Sequence, residues 1–334
     1  MISIKKIFEN LLEKKDLNYS EASRLVQLIF SNKLSEVEIS SILTLLYIKE
    51  EKFNEIYSFV KYLKKKCESI SLKGDLMDTC GTGGDNKNSF NFSTATSILL
   101  SACDVKIVKH GNRSVTSKSG SFDVLESLGI DINLNLKNQQ KFFKKNNICF
   151  LFAPNFHSSL KLISPIRQKL PFRTIFNLLG PLLNPCKLKY QLLGVSKKQN
   201  LITHAKCLNK IKIKSAWVVF NLNGYDELTT TSSNIIRQVK NGKIYSERKI
   251  HPNDLGFKIR NEEELKGGTG KENAYMMKRL FEGETGAIRD NVLLNTSAGL
   301  LISEKVKNLN EGIELAKKII DCGKASKKLE EIIK

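Results

Sequence analysis

Four short apolar runs constrain the fold of this chain more than any other feature: VKIVKHG at 105–111, NICFLFAP at 147–154, KYQLLGV at 189–195 and SAWVVFNL at 215–222. Each is rich in branched and aromatic residues, too short for a globular helix, and apolar at nearly every position. A strand that is apolar on both sides must be covered on both faces, which is the condition of a mostly parallel sheet wrapped by helices. Glycine loops and helical patterns separate the runs. From about residue 75 onward the chain therefore predicts an α/β domain that takes ligands at the carboxyl ends of its strands.

Before that point the texture is helical. SEASRLVQLIF places Ala22, Leu25, Val26 and Ile29 on one face, and LSEVEISSILTLLYIKEE does the same with Ile39, Ile42, Leu43 and Leu46 behind a capping box of Ser35 and Glu38. Helices with one apolar face each pack as a small bundle. The tail returns to helix in NLNEGIELAKKIIDC and GKASKKLEEIIK, and the stretch 251–274 is expected to be strand and loop leading into a helix.

Several classes are excluded. MISIKKIFENLLEKKD interleaves Lys and Glu with its apolar residues, so no signal peptide is expected. Apolar runs such as ICFLFA fall far short of the roughly 20 residues that span a bilayer, so no membrane partner is expected either. The seven cysteines are scattered singly without a CxxC pair, which argues against a disulfide framework or a zinc site and for a reduced, cytoplasmic setting. The net charge is +20, yet the lysines are spread through KYLKKKC, KFFKKNN and KLKYQ without an aromatic-interleaved module, so nucleic acid is not the expected partner.

The segment DTCGTGGDNKNSFNFST, residues 78–94, would leave a strand at Leu76–Met77, turn through CGTGGD and enter a helix. Backbone N–H groups and a helix N-terminus would then converge as in an anion cradle, with Ser93 or Thr94 also placed to cap the helix. An ordinary glycine turn has the same composition, and the segment alone leaves both open. The dinucleotide spacing GxGxxG fails at Asn86, and GGTGKEN fails the P-loop because Leu265 and Glu272 stand where Gly and Ser/Thr are required.

A second motif, KHGNRSVTSKSGSFDVLESLGI, begins at Lys109. Together with the first, with FAPNFHSSLKLISPIRQKLPFRTIFNLLGPLLNP and with DELT at 226–229, it resembles the anthranilate phosphoribosyltransferase family over nearly the whole chain. That resemblance implies the α/β fold of the nucleoside phosphorylase and anthranilate phosphoribosyltransferase superfamily. It implies a small helical domain of residues 1–70 joined by helices from about 155–185, a large domain of 75–334 with a mostly parallel central sheet, and an active site in the cleft between them. The implied reaction joins anthranilate to 5-phosphoribosyl 1-pyrophosphate, giving N-(5-phosphoribosyl)anthranilate and pyrophosphate in tryptophan biosynthesis. Two Mg2+ ions per monomer, a homodimer formed through the small domain, and association with anthranilate synthase complete the expectation.

Carried residue by residue, the resemblance assigns Gly81, Gly84, Asp85, Ser89, Asn91, Phe92, Ser93 and Thr94 to phosphoribosyl pyrophosphate, with Ser93 also on a magnesium ion. A second phosphate loop would comprise Lys109, His110, Gly111, Asn112, Arg113, Ser114, Val115, Thr116 and Ser117, with Ser121 beyond it and Lys109 acting as a point charge. Anthranilate would meet Gly81, Asn112 and Arg167, whose planar guanidinium can fork onto a carboxylate. Asp226 and Glu227 would hold the second magnesium, His157 would orient the pocket wall, and Arg173 would be structural. No strong general base is expected, because an arylamine is already neutral at pH 7. Phe122, Pro171 and the pair Ser159–Leu160 depart from the family pattern and are expected to alter pocket shape. Two alternatives are a pyrimidine nucleoside phosphorylase, whose loops carry different residues, and a nucleic-acid-binding relative, disfavoured by Asn112, Arg167 and the Asp226–Glu227 pair.

Overall fold

The computed structural model describes residues 2–114 and 118–333. Val115, Thr116 and Ser117 lie outside the described residues.

In chain order the elements begin with α1 (Ile4–Leu12), α2 (Tyr19–Ile29), α3 (Glu36–Lys49) and α4 (Phe53–Lys66). There follow β1 (Leu76–Gly81), α5 (Phe92–Ala102), β2 (Lys106–Gly111), α6 (Ser121–Ser127), α7 (Leu136–Asn146) and β3 (Ile148–Phe152). Short helices α8 (Ala153–Phe156), α9 (Ser164–Lys169) and α10 (Phe176–Leu179) come next. The chain continues through β4 (Tyr190–Gly194), α11 (Asn200–Lys210), β5 (Ser215–Asn221), β6 (Asn234–Lys240) and β7 (Lys243–Ile250). It closes with α12 (Gly270–Phe281), α13 (Ala287–Ile302), α14 (Leu309–Asp321) and α15 (Lys324–Ile333). Two compact units result, one of Met1–Ser69 with Pro154–Pro185 and one of Ile70–Ala153 with Cys186–Lys334.

The first unit is helical. Ala22, Leu25, Val26 and Ile29 on α2, and Ile39, Ile42, Leu43 and Leu46 on α3, are all buried, as their spacing predicts. Burying each of the larger side chains contributes about 1.5–3 kcal/mol. The Ser35–Glu38 capping box is present, and a second one, Asn18 with Glu21, opens α2. At the α3–α4 turn the buried Lys49 and Glu55 form an ion pair of 2.9 Å that also holds the Leu17 N–H.

The second unit is built on a seven-stranded sheet in the order β3-β2-β1-β4-β5-β6-β7. The first five strands are parallel, and β6 and β7 pair antiparallel at one edge. Ile107, Ile148, Phe150, Tyr190, Leu192, Trp217 and Val219 join one core with α5, α13, α14 and α15, while the alternating Val108, Leu151, Leu193 and Val218 are fully buried on the other face. Apolar residues on both faces are thus the physical basis of the four runs. The strand expected within 251–274 is corrected: short 3-10 turns at Pro252–Leu255 and Glu262–Leu265 precede α12. Pro252 and the left-handed Gly256, φ 78°, interrupt any ladder there, and the strands lie earlier, as the β6–β7 hairpin. No helix among the described residues is long and apolar enough to cross a membrane.

Candidate active site

From β1 the chain crosses to β2 and β3 on one side and returns at β4 on the other. Such a reversal opens a crevice at the carboxyl ends of the two strands where it occurs. There Gly81 ends β1 and Gly194 ends β4, directly opposite each other. A Cβ on Gly194 would fall on the backbone carbonyl of Asp226, and one on Gly81 would fall on the Asp226 carboxylate. Both glycines are therefore required for the loop after β5 to lie across the strand ends. Gly194 was not anticipated from the sequence; the only available signal was a glycine closing one of the apolar runs.

The Gly81–Thr94 loop wraps around the two carboxylates of the later loop. Gly83 and Gly84 take left-handed φ values of 65° and 73°, and the Gly83 N–H donates to Asp226 Oδ2 at 2.6 Å. The Asp85 carboxyl shares a hydrogen bond with Asp226, and its Oδ1 accepts from the Lys87 N–H at 3.1 Å. The Ser93 N–H donates to Glu227 Oε1 at 3.3 Å. Glu227 thereby does for the start of α5 what Ser93 or Thr94 was expected to do. The observed N-cap, Asn91, forms no side-chain cap bond, because its side chain accepts from Asn273 Nδ2 at 2.6 Å and donates to the Ser119 carbonyl at 3.3 Å.

Part of Glu227 remains exposed, yet its Oε2 is shielded from solvent and has no hydrogen-bond partner. Burial, then the charges of Asp226 and Asp85, push this carboxyl well above the ordinary glutamate range. Burial likewise raises Asp85. Lys109 is the opposing charge. Its Nζ donates to the Thr79 carbonyl at 2.7 Å and to Ser93 Oγ at 3.1 Å, and burial lowers its pKa. Lys109, expected to oppose the phosphates as a point charge, is 0% exposed in this structure. Position 109 shares the face of β2 that carries Ile107 into the core, so the ammonium lies behind the Ser93 hydroxyl.

Other members of the first motif are held by packing. Phe92 is buried edge-on to Phe90, ring centroids 5.4 Å apart, so it can offer a ligand only its backbone. Thr94 is fully buried, and Ser89 forms a backbone bridge to Lys266. Gly267 donates its N–H to the Asn88 carbonyl at 2.8 Å, so GGTGKEN, rejected as a P-loop, braces the first loop instead. Asn273 was missed because nothing local to it signals that partnership.

In the second loop, the buried His110 donates its backbone N–H to Asp78 Oδ1 at 3.3 Å, and Gly111 ends β2. Asn112 is exposed, and its Oδ1 accepts from the Arg113 N–H at 2.8 Å. Arg113 forks onto Glu126 at 2.9 and 2.7 Å and lies over the Phe152 ring at 5.1 Å. Asp123 Oδ2 accepts from both Ser114 N and Gly120 N, at 2.9 and 2.7 Å, fastening the two ends of the loop. Ser121 opens α6. Phe122, expected to change the pocket, is fully buried 5.1 Å from Phe152 and acts as core.

The helical unit carries Arg167 on α9, which begins at Ser164 with Pro165 in its first turn. Its guanidinium lies 5.4 Å from the centre of the Phe176 ring, and burial, with Arg173 nearby, lowers its pKa. Among the described residues no acidic side chain forms an ion pair with it. His157 is buried, and burial depresses its pKa to about 4, so the imidazole is neutral.

A void of about 10 Å³ lies among Gly81, Ser93, Thr96, Asp226, Glu227 and Asn295, enough for one water or small ion. No group of three or more His, Cys, Asp or Glu among the described residues forms a metal cluster. A cation here would therefore complete its coordination from hydroxyl, water and substrate oxygens. The orphaned Glu227 Oε2 beside two further carboxylates fits a hard divalent cation of that habit.

Comparison with known proteins defines the class. Residues 5–67 match the helical bundle domain of the glycosyl transferase family, and residues 73–326 match its a/b domain. The chain belongs to this two-domain glycosyl transferase family. It is 43% identical over 326 residues to the anthranilate phosphoribosyltransferase of Petrotoga mobilis, covering 97% of this chain and 94% of that one. The corresponding protein of Acetivibrio thermocellus is 41% identical, covering 99% and 96%. The crystal structure of anthranilate phosphoribosyltransferase from Thermus thermophilus superposes with TM-score 0.89 at 31% identity, covering 98% of each chain. The Saccharomyces cerevisiae enzyme in complex with PRPP and Mg does so with TM-score 0.89 at 28% identity, covering 99% and 98%. Within its class the chain is thus a member of the anthranilate phosphoribosyltransferases.

Proposed function

We infer that this chain transfers the phosphoribosyl group of 5-phosphoribosyl 1-pyrophosphate to the amine of anthranilate, releasing pyrophosphate. The observation that carries this is the carboxylate set of the buried Asp226 and the half-buried Asp85 and Glu227, folded against a glycine loop and the start of α5 at the sheet's switch point. The amine nitrogen bonds to the anomeric carbon as the bond to the pyrophosphate oxygen breaks, and the nitrogen then releases a proton to solvent. Positive charge grows on the sugar and negative charge on the leaving group, so positioning and electrostatics carry the catalysis.

Mg2+ would be held by Ser93 on one side and by Asp226 and Glu227 on the other, two ions per protomer, and would supply neutralisation of the pyrophosphate charge. Lys109 holds the Ser93 hydroxyl in place, and the phosphates would lie beside the Gly81–Asp85 turn and the Asn112–Ser114 segment. Arg167, desolvated and without an acidic partner among the described residues, would receive the anthranilate carboxylate. Homodimerisation is supported by a groove of about 660 Å³ on the helical unit, lined by Phe8, Leu12, Val37 and Leu45, with Leu12 and Val37 66% and 75% exposed.

Purified protein given anthranilate, 5-phosphoribosyl 1-pyrophosphate and Mg2+ should form product followed by fluorescence, and Asp226→Asn with Glu227→Gln should abolish most of it. No product, together with tight binding of single-stranded DNA at physiological salt, would establish the nucleic-acid-binding alternative.

A further inference from the structure

Four buried asparagines grip the loop that carries Asp226 and Glu227. On the sheet side, Asn221 Nδ2 donates to Asn234 Oδ1 at 3.0 Å, and Asn234 satisfies both the N–H and the carbonyl of Thr229 at 2.9 Å each. On the helix side, α13 presents Asn291 and Asn295 one turn apart. Asn291 accepts from the Thr230 N–H at 2.8 Å and donates to Thr230 Oγ1 at 3.0 Å and to the Ala287 carbonyl at 2.6 Å. Asn295 accepts from the Leu228 N–H at 3.2 Å and donates to the Leu228 carbonyl at 2.7 Å and the Asn291 carbonyl at 2.8 Å.

The two helix asparagines differ in where their grip falls. Asn295 replaces a β-ladder partner for Leu228, the residue directly after Glu227, and lines the same void as Ser93, Asp226 and Glu227. Asn291 acts two residues later, at Thr230, and does not line that void. A tilt of the Leu228 peptide turns the Glu227 side chain directly, whereas a tilt at Thr230 must pass through two more residues. No apolar residue could replace Asn295, because both Leu228 peptide groups are buried and need partners.

We propose that Asn295 is a positioning residue that sets the Asp226–Glu227 carboxylates around the cation, while Asn291 braces the loop without tuning it. The proposal rests on the cation assignment above. Outer partners of metal ligands typically govern 10–100-fold in metal affinity.

The test is titration of substrate-free protein with Mn2+, read by the electron paramagnetic resonance of free Mn2+, for wild type, Asn295→Ala and Asn291→Ala. Asn295→Ala should weaken Mn2+ binding roughly tenfold or more, and Asn291→Ala less than about threefold, at comparable losses of melting temperature. In steady state, Asn295→Ala should raise the half-saturating Mg2+ by a similar factor and leave the anthranilate KM unchanged. Equal weakening in both variants, or none in Asn295→Ala, overturns the proposal while leaving the cation site intact. Wild-type protein that takes up no Mn2+ either alone or with 5-phosphoribosyl 1-pyrophosphate present overturns the cation site itself and this proposal with it. Should Asn295→Ala not fold, Asn295→Ser, which retains a hydroxyl at the position, carries the same comparison.

Discussion

Glu227→Gln should stabilise the metal-free protein while disabling it. In wild type one carboxyl oxygen accepts a single bond at 3.3 Å from Ser93 N, and the other is shielded without a partner. Asp226 and Asp85 add like charge, and Lys109 opposes it. Between the ordinary pKa and the raised one the folded carboxyl must hold a proton that the unfolded chain has released, and an amide that never ionises escapes that cost, so the substitution should gain about 2 kcal/mol. For a unit of this size that corresponds to roughly 4 °C or more in Tm. The sign follows from linkage: the folded carboxyl is raised above the ordinary 4.5. Below that pH both states are protonated and the penalty is absent. Above it the unfolded chain releases a proton that the folded one retains, so stability falls as pH rises toward the folded pKa. Differential scanning fluorimetry in EDTA across pH 5–8 should show that fall in wild type and a flatter profile in Glu227→Gln. Adding Mg2+ should raise the wild-type Tm and leave the variant nearly unchanged. A variant that melts at or below wild type in EDTA at pH 7.5 would refute the argument from the desolvated carboxyl.

Three further outcomes are expected. Arg167→Lys should raise the anthranilate KM roughly tenfold, about 1.4 kcal/mol, through loss of the planar fork, with the KM for phosphoribosyl pyrophosphate unchanged; equal changes in both constants would contradict the assignment. Gly194→Ala should cost about 1–3 kcal/mol by overpacking against Asp226 and on the order of 100-fold in kcat/KM by displacing the carboxylates; near-wild-type activity would show that the loop tolerates a Cβ. His157, held neutral with its pKa depressed to about 4, contributes stability that is present above about 6.5 and lost as pH falls toward 4, at up to about 1.4 kcal/mol per pH unit. His157→Gln should flatten that acid limb in chemical denaturation, and an unchanged slope would exclude the histidine as its source.

What the sequence by itself determined was local. The four apolar runs are β2, β3, β4 and β5, the i, i+3, i+4 faces of α2 and α3 are the buried ones, and Ser35 caps α3, since periodicity and caps act over a few residues. The β6–β7 hairpin escaped because β7 is a charged, mostly exposed edge strand, although Asn241–Gly242, with φ of 49° and 80°, is a turn signal that could have found it. The glycine and hydroxyl motifs named the site residues, yet their state was not legible in them. Whether Lys109 faces solvent or lies beneath Ser93 depends on which side of β2 meets α5. Whether Asp226 can reach Gly83 depends on Gly81 and Gly194 lying opposite each other on neighbouring strands. Only the tertiary structure decided that three carboxylates share one desolvated corner, and that Asn295, a helix residue with no local mark, holds the peptide beside them. Burial and hydrogen-bond pairing join positions far apart along the chain, and no window of neighbouring residues contains that information.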